Sequence, residues 1–295
     1  MRKTVECVPN ISEGKDGGII KAVCDAVSAV KGVKLLHVTS DADHNRSVLT
    51  FKGSPRAVGA AAVALAVKAA ELIDLTKQKG EHPRMGAADV IPFVPLKGAT
   101  MEDCVSLSKR VGRRIWREAG VPVFLYEYAA TAGNRKNLAD IRRGQFEGMP
   151  EKLLQKEWKP DFGKRNVHPT AGVVAVGARK PLIAYNLVLN TPDVAVASDI
   201  ASVIREKNGG LKCVKALGVF LADRGLAQVT CNLTDYKTTS VLKVTETVKK
   251  EAAKRGLEVA DTEIVGMVPR DALPCDAVKT LGLRDFDEKK QILDI

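Results

Sequence analysis

Residues 182–193, Leu182-Ile183-Ala184-Tyr185-Asn186-Leu187-Val188-Leu189-Asn190-Thr191-Pro192-Asp193, decide the fold of the second half of the chain. The run from 182 to 189 is rich in Ile, Leu and Val and reads as a strand. Thr191-Pro192-Asp193 then opens a helix reaching about residue 207, where Gly209-Gly210 breaks it. Residues 214–221 and 227–233 are strand-like around Asp223-Arg224-Gly225, a hairpin turn. Thr239-Ser240 opens a second helix to about residue 255, with Gly256 at its C-terminal end. Residues 257–268 form a last strand, and a short helix starts at Asp271. Strand, helix, strand, strand, helix, strand is the split βαβ, ferredoxin-like order.

The first half repeats that order. Residues 4–8 read as a strand ended by Pro9 and Asn10. Ile20, Val23, Ala26, Val27 and Val30 make a helical stripe, stopped by Gly32. Residues 33–38 and 47–51 form a hairpin around Asp41-Ala42-Asp43-His44-Asn45. Ser54-Pro55 suits the start of a long Ala-rich helix to about residue 75. Residues 90–96 are strand-like, and Pro92 and Pro95 favour an edge or irregular position. An additional helix (101–119) and strand (121–128) follow, and 137–172, rich in Pro, Gly and charge, reads as a long functional or linking loop. The expected class is α+β: two ferredoxin-like βαββαβ subdomains with antiparallel-rich sheets and helices packed on one face, residues 1–178 forming the first subdomain and 179–295 the second.

The bulk numbers agree with a globular chain. Of 295 residues 45% are hydrophobic but only 4% aromatic, so Val, Ile, Leu and Ala must build the core. The net charge of +11 comes from 46 Lys+Arg against 35 Asp+Glu, spread along the chain without a long basic run or basic–aromatic interleaving, which weakens a nucleic-acid reading. The six cysteines, Cys7, Cys24, Cys104, Cys213, Cys231 and Cys275, lack zinc-ligand spacing. Met1-Arg2-Lys3 leads into no signal-like apolar stretch, and no segment has the length of a membrane span. A cytoplasmic protein is expected, with no membrane partner.

Chemistry must come from few residues. There are four histidines: His37, His44, His82 and His168. His37 sits in an apolar strand run and reads as a core or edge position. His44 lies in a turn with Asp43, Asn45 and Arg46, which are ordinary turn residues but also able to hold an anion. His82 lies in Lys79-Gly80-Glu81-His82-Pro83-Arg84-Met85-Gly86, where Pro83 pushes it out of helical conformation and the glycines allow close backbone approach. That segment reads equally as a site or a solvated charged loop. The same two readings apply to Gly163-Lys164-Arg165-Asn166-Val167-His168-Pro169-Thr170-Ala171-Gly172, a Gly-bounded loop suited to lie over an anionic ligand. Phosphate-loop, dinucleotide and zinc-hydrolase signatures are absent, so no metal or nucleotide is expected.

Together these segments resemble the formiminotransferase family (glutamate formimidoyltransferase). The resemblance runs in order through Cys7-Val8-Pro9-Asn10-Ile11-Ser12-Glu13-Gly14, Asp43-His44-Asn45-Arg46-Ser47-Val48, Lys79-Gly80-Glu81-His82-Pro83-Arg84-Met85-Gly86-Ala87, Trp158-Lys159-Pro160-Asp161-Phe162-Gly163, Gly177-Ala178-Arg179-Lys180 and Leu226-Ala227-Gln228-Val229 to Asn232-Leu233. The Glu-His-Pro-Arg-Met-Gly block is the most specific. The resemblance implies two subdomains with folate in a basic tunnel between them, and a homodimer. It implies catalysis by His82 and folate contact by Gly163 through Gly172, although 164–168 departs from the animal members. Asp43, His44, Asn45, Arg46, Glu81 and Arg84 are the supporting positions. Bifunctional members add a cyclodeaminase domain, so a separate cyclodeaminase is expected downstream of this chain.

The expected reaction transfers the formimidoyl group from N-formimidoyl-L-glutamate to N5 of tetrahydrofolate, the co-substrate, within histidine degradation and one-carbon metabolism. His82 would move protons, while Lys164, Arg165, Arg46 and Arg84 attract substrate carboxylates. The rival readings are formyl transfer between 5-formyltetrahydrofolate and glutamate, a non-catalytic folate-binding protein, and a nucleic-acid-binding module.

Overall fold

The computed structural model describes residues 3–80 and 82–293. The chain divides into two compact units, Met1–Arg179 and Lys180–Ile295. The class is α+β.

The first unit contains β1 (Val5–Cys7), β2 (Asn10–Ile11), α1 (Gly17–Ser28), β3 (Val33–Asp41), β4 (Arg46–Gly53), α2 (Pro55–Leu72), β5 (Ala88–Pro95), α3 (Met101–Ala119), β6 (Val123–Glu127), α4 (Leu138–Arg142), α5 (Gln145–Leu154) and β7 (Val174–Ala178). β1 and β2 act as one strand interrupted at Val8-Pro9, since both lie between β4 and β5 and pair antiparallel with each. β3 pairs with β4 to complete a ferredoxin-like core. Beyond β5 the sheet continues with β7 and then β6, both parallel. Local chemistry starts the helices: Asp16 caps α1, Ser54 caps α2 with Pro55 in its first turn, and Thr100 with Asp103 forms a capping box on α3.

Two features depart from the sequence expectation. The proline-bearing strand is interior, not at an edge. The Pro92 carbonyl accepts from Val8 N (3.3 Å), so the side of Pro92 that lacks an N–H faces the break between β1 and β2, where no regular ladder bond is lost. The stretch expected as a loop contains α4 and α5. Ile91, Phe93, Val123, Leu125, Val174 and Val176 face the core under α1–α3, whereas Val90, Phe124, Tyr126 and Ala175 face the other side and meet Ile141, Met149 and Leu153. The parallel end of the sheet is therefore covered on both faces, the usual condition for parallel strands. A few apolar anchors in a polar stretch suffice to seat two short helices there.

The second unit contains β8 (Ile183–Leu189), α6 (Val194–Ile204), β9 (Val214–Leu221), β10 (Leu226–Leu233), α7 (Val241–Ala253) and β11 (Val259–Val265). Its antiparallel sheet runs β11-β8-β10-β9, the same relative order as β5, β1/β2, β4 and β3. Ile183, Tyr185 and Leu187 pack with Ile200, Val244 and Val248 of the two helices, and the Tyr185 hydroxyl is 2.7 Å from Thr245 Oγ1. Among the described residues, no helix is long and apolar enough to cross a membrane.

Candidate active site

The segment between α2 and β5 is held at both ends, with His82 between. On the approach side Asn45, in a left-handed conformation (φ 47°), acts as a bracket. Its Oδ1 accepts from Gly14 N (2.9 Å), its Nδ2 donates to the Lys79 carbonyl (2.8 Å), and its own carbonyl accepts from Gln78 Nε2 (2.9 Å). Gly80 lies so close to the His44 carbonyl that any side chain would collide with it. The β3–β4 turn and the approach to His82 thus form one packed piece.

On the exit side Arg84 is almost fully buried. It forks onto Glu147 with both Nη atoms (2.8 Å each) and donates Nε to Gln78 Oε1 (2.9 Å) and Nη2 to the Gln78 carbonyl (3.2 Å). The sequence reading offered Arg84 to a substrate carboxylate; the structure instead commits its guanidinium to a tether. Met85 N donates to buried Asp89 Oδ1 (2.8 Å), Ala87 N to the Ala171 carbonyl (2.9 Å) and Val173 N to the Met85 carbonyl (2.9 Å).

The last two bonds bring in the second sequence-predicted element. At its start Gly163 (φ 113°) packs on Trp116 and Pro122. Lys164, Arg165 and Asn166 are exposed, while Val167 packs on the smaller core. At its end His168 and Gly172 exchange two backbone bonds of 3.1 Å, and the Thr170 carbonyl accepts from Leu75 N (2.9 Å). His168 Nδ1 accepts from Ala171 N (3.0 Å), so this ring shapes its own turn, and burial lowers its pKa. Pro169 is exposed and Ala171 buried. The structure therefore joins residues 168–172 to residues 85–87 through the backbone.

His82 is partly buried, its ring centroid 6.3 Å from that of His44 and tilted by 58°. Burial, followed by the charges of Arg46, Arg142 and His44, pushes its pKa down to about 2, so the ring is neutral at physiological pH. His44 behaves in the opposite sense: its Nδ1 lies 3.0 Å from Asp41 Oδ2, and that carboxylate raises its pKa. Arg46 is lowered to about 10, first by burial and then by Arg142. Asp43 sits partly buried in the same turn, and Glu81 lies outside the described residues.

Sequence reasoning missed Arg142 and Asp89. Arg142 ends α4 and donates Nη2 to Asp89 Oδ2 at 2.6 Å. Neither lies in a recognisable motif, and Arg142 falls in the stretch expected to be a loop. Among the described residues, the site that results is a neutral imidazole next to two guanidinium groups, one carboxylate and an imidazole–carboxylate pair. Such a group can accept and return a proton beside a bound anion.

Residues 4–179 match the formiminotransferase domain, N-terminal subdomain, and residues 184–292 the formiminotransferase domain. The chain is 50% identical to a glutamate formimidoyltransferase of Streptococcus pyogenes serotype M1, covering 100% of this chain and 98% of that one. It is 47% identical to a glutamate formimidoyltransferase of Thermoplasma acidophilum, covering 96% and 94%. It is 43% identical to a formimidoyltransferase-cyclodeaminase of Dictyostelium discoideum, covering all of this chain and 60% of that one.

Proposed function

This chain belongs to the formiminotransferase family, and from that premise we propose that it transfers the formimidoyl group of N-formimidoyl-L-glutamate to N5 of tetrahydrofolate, giving 5-formimidoyltetrahydrofolate and L-glutamate, with His82 as the proton carrier. The identity to glutamate formimidoyltransferases along nearly the whole chain supports the reaction. The observation that supports the role of His82 is its uncharged ring, held between two fixed backbone segments.

N5 attacks the formimidoyl carbon and forms a tetrahedral intermediate. One proton leaves N5, and one reaches the nitrogen of the departing glutamate. A neutral imidazole does both in turn, accepting through its free lone pair and then donating the same proton. Bringing two reactants together supplies much of the remaining acceleration. The loop from Gly163 to Gly172 lies over tetrahydrofolate, and exposed Lys164 and Arg165 attract its glutamate carboxylates. The net charge of +11 steers anionic substrates inward. The enzyme works in the cytoplasm as a homodimer, and a cyclodeaminase consumes the 5-formimidoyl product.

The test mixes purified protein with tetrahydrofolate and formimidoylglutamate and follows glutamate and 5-formimidoyltetrahydrofolate by mass spectrometry. Product from the wild type is expected. Absence of product while folate binding is intact would overturn the reading, and 5-formyltetrahydrofolate with glutamate would be the next pair to try.

A further inference from the structure

We propose that Arg46 and Arg142 form a paired guanidinium site beside His82 for the α-carboxylate of a glutamyl group, that of the formimidoyl donor. This rests on the transfer reaction proposed above and names the residues that hold its donor.

Arg46 begins β4, two positions after His44, whose ring neighbours that of His82. Arg142 reaches the same region from α4, and Asp89 fixes it there. One Asp89 oxygen accepts from Arg142 Nη2 (2.6 Å) and the other from Met85 N (2.8 Å), so the guanidinium is tied to the His82 segment itself. The two cations lie within electrostatic reach of each other and of His82. Asp89 balances one of them, and Asp41 is already engaged by His44. Among the described residues, one positive charge is left over in a partly buried place. The Nε atoms of Arg46 and of Arg142 are both buried without a hydrogen-bond partner among the described residues. A carboxylate is the planar acceptor that such forks fit.

Two sources could supply that carboxylate, and the chemistry favours one. In the donor, the departing nitrogen and the α-carboxylate are bonded to the same carbon. An anion site next to the group that protonates this nitrogen is therefore in reach of the donor's α-carboxylate. The carboxylates of tetrahydrofolate lie beyond the p-aminobenzoyl group from N5. Filling the site also offsets the two guanidinium charges that add to burial in keeping His82 uncharged, so the ring gains proton affinity as the donor arrives.

L-Glutamate titrated calorimetrically into the protein without folate reads the site apart from turnover. Arg142→Gln and Arg46→Gln should each weaken glutamate binding roughly 10- to 100-fold, the scale of a lost charge-assisted hydrogen bond. Donor KM should rise by a similar factor, the loss falling on KM more than on kcat, with tetrahydrofolate affinity kept. Arg142→Lys, which keeps the charge but not the fork, should fall in between. Arg142→Gln leaves Asp89 without its cationic partner, so thermal melts accompany it, and Arg46→Gln, which breaks no side-chain hydrogen bond among the described residues, decides if Arg142→Gln does not fold. Unchanged glutamate affinity in Arg46→Gln overturns the site. So does loss, in either variant, of discrimination between tetrahydrofolate and tetrahydropteroate, which would assign these arginines to the folate tail. Glutamate binding that depends on both arginines, in a wild type that makes no 5-formimidoyltetrahydrofolate, upholds the site and rejects the reaction instead.

Discussion

The Lys152 ammonium donates to the Ile141 carbonyl at 2.6 Å, and also to the carbonyls of Asp140 (2.6 Å) and Arg143 (3.0 Å). It caps the end of α4 around Arg142 while lying 4.0 Å from the centroid of the Trp158 ring. Lys152 is buried and touches nothing in the site directly, so it is a positioning residue for Arg142. Lys152→Met strands those carbonyls and should cost roughly 1–3 kcal/mol in denaturant unfolding. It should also raise donor KM while leaving the KM for tetrahydrofolate unchanged. A loss of stability with both KM values unaltered would reduce Lys152 to a purely structural cap.

His82→Ala should lower kcat roughly 10²- to 10⁴-fold, the usual share of general acid–base catalysis, with tetrahydrofolate binding largely kept. Equilibrium binding and single-turnover rates measured on the same preparation separate the two effects. An unaltered kcat would take His82 out of the mechanism.

The pH profiles of kcat and kcat/KM should differ. With its pKa at about 2, the His82 ring of the free enzyme stays neutral in any practical assay, so kcat/KM carries no acid limb from it. A donor carboxylate between Arg46 and Arg142 favours the protonated ring and raises that pKa, so an acid limb from His82 should appear in kcat and not in kcat/KM. Coincident limbs would contradict this coupling.

The His44–Asp41 pair predicts a stability window. Folding raises the pKa of His44 from its ordinary 6.5, so its contribution is complete below that value and is lost as pH rises through the raised pKa. Folding lowers the pKa of Asp41 from 3.8, so its contribution is complete above that value and is lost as pH falls. The pair stabilises most between those limits, by no more than about 1 kcal/mol because Asp41 is half exposed. Melting temperatures of wild type and His44→Asn should diverge most near pH 5 and converge toward alkaline pH.

Gly172→Ala tests the junction between the 163–172 loop and the His82 segment. Gly172 has φ 71°, and a side chain there would collide with the Met85 carbonyl, three residues after His82. The strain alone is worth about 1–3 kcal/mol, and relieving it must pull residues 168–172 off residues 85–87. Reduced stability together with faster amide exchange at Ala87 and Val173 is expected; stability loss with exchange unchanged there would place the strain elsewhere.

The repeating strand and helix order was legible because caps, glycines and apolar runs mark each element locally, as at Ser54-Pro55 and Gly256. His82 stood out through its distinctive block, and Asn45 only as a turn residue, since its bracketing bonds depend on a segment more than thirty positions away. Arg84 looked available because its partner Glu147 lies far along the chain. Pro92 looked like an edge residue because nothing local reveals the break at Val8-Pro9 that accommodates it. Arg142 was hidden with α4, whose five residues carry too short a pattern to register as a helix.

The junction between residues 85–87 and 168–172 also governs when the site is assembled. Once residue 95 has emerged from a ribosome, every strand of the first ferredoxin-like core is available, with the His82 segment already between α2 and β5. Its exit side then has the bonds of Arg84 to Gln78 and of Met85 to Asp89, whereas those to Glu147, Ala171 and Val173 and the pairing of β7 with β5 await up to about eighty further residues. Parallel pairing across such a distance is slow. The nascent chain therefore holds every strand of its first ferredoxin-like core before the His82 segment is closed, and that closure comes only when β7 pairs with β5.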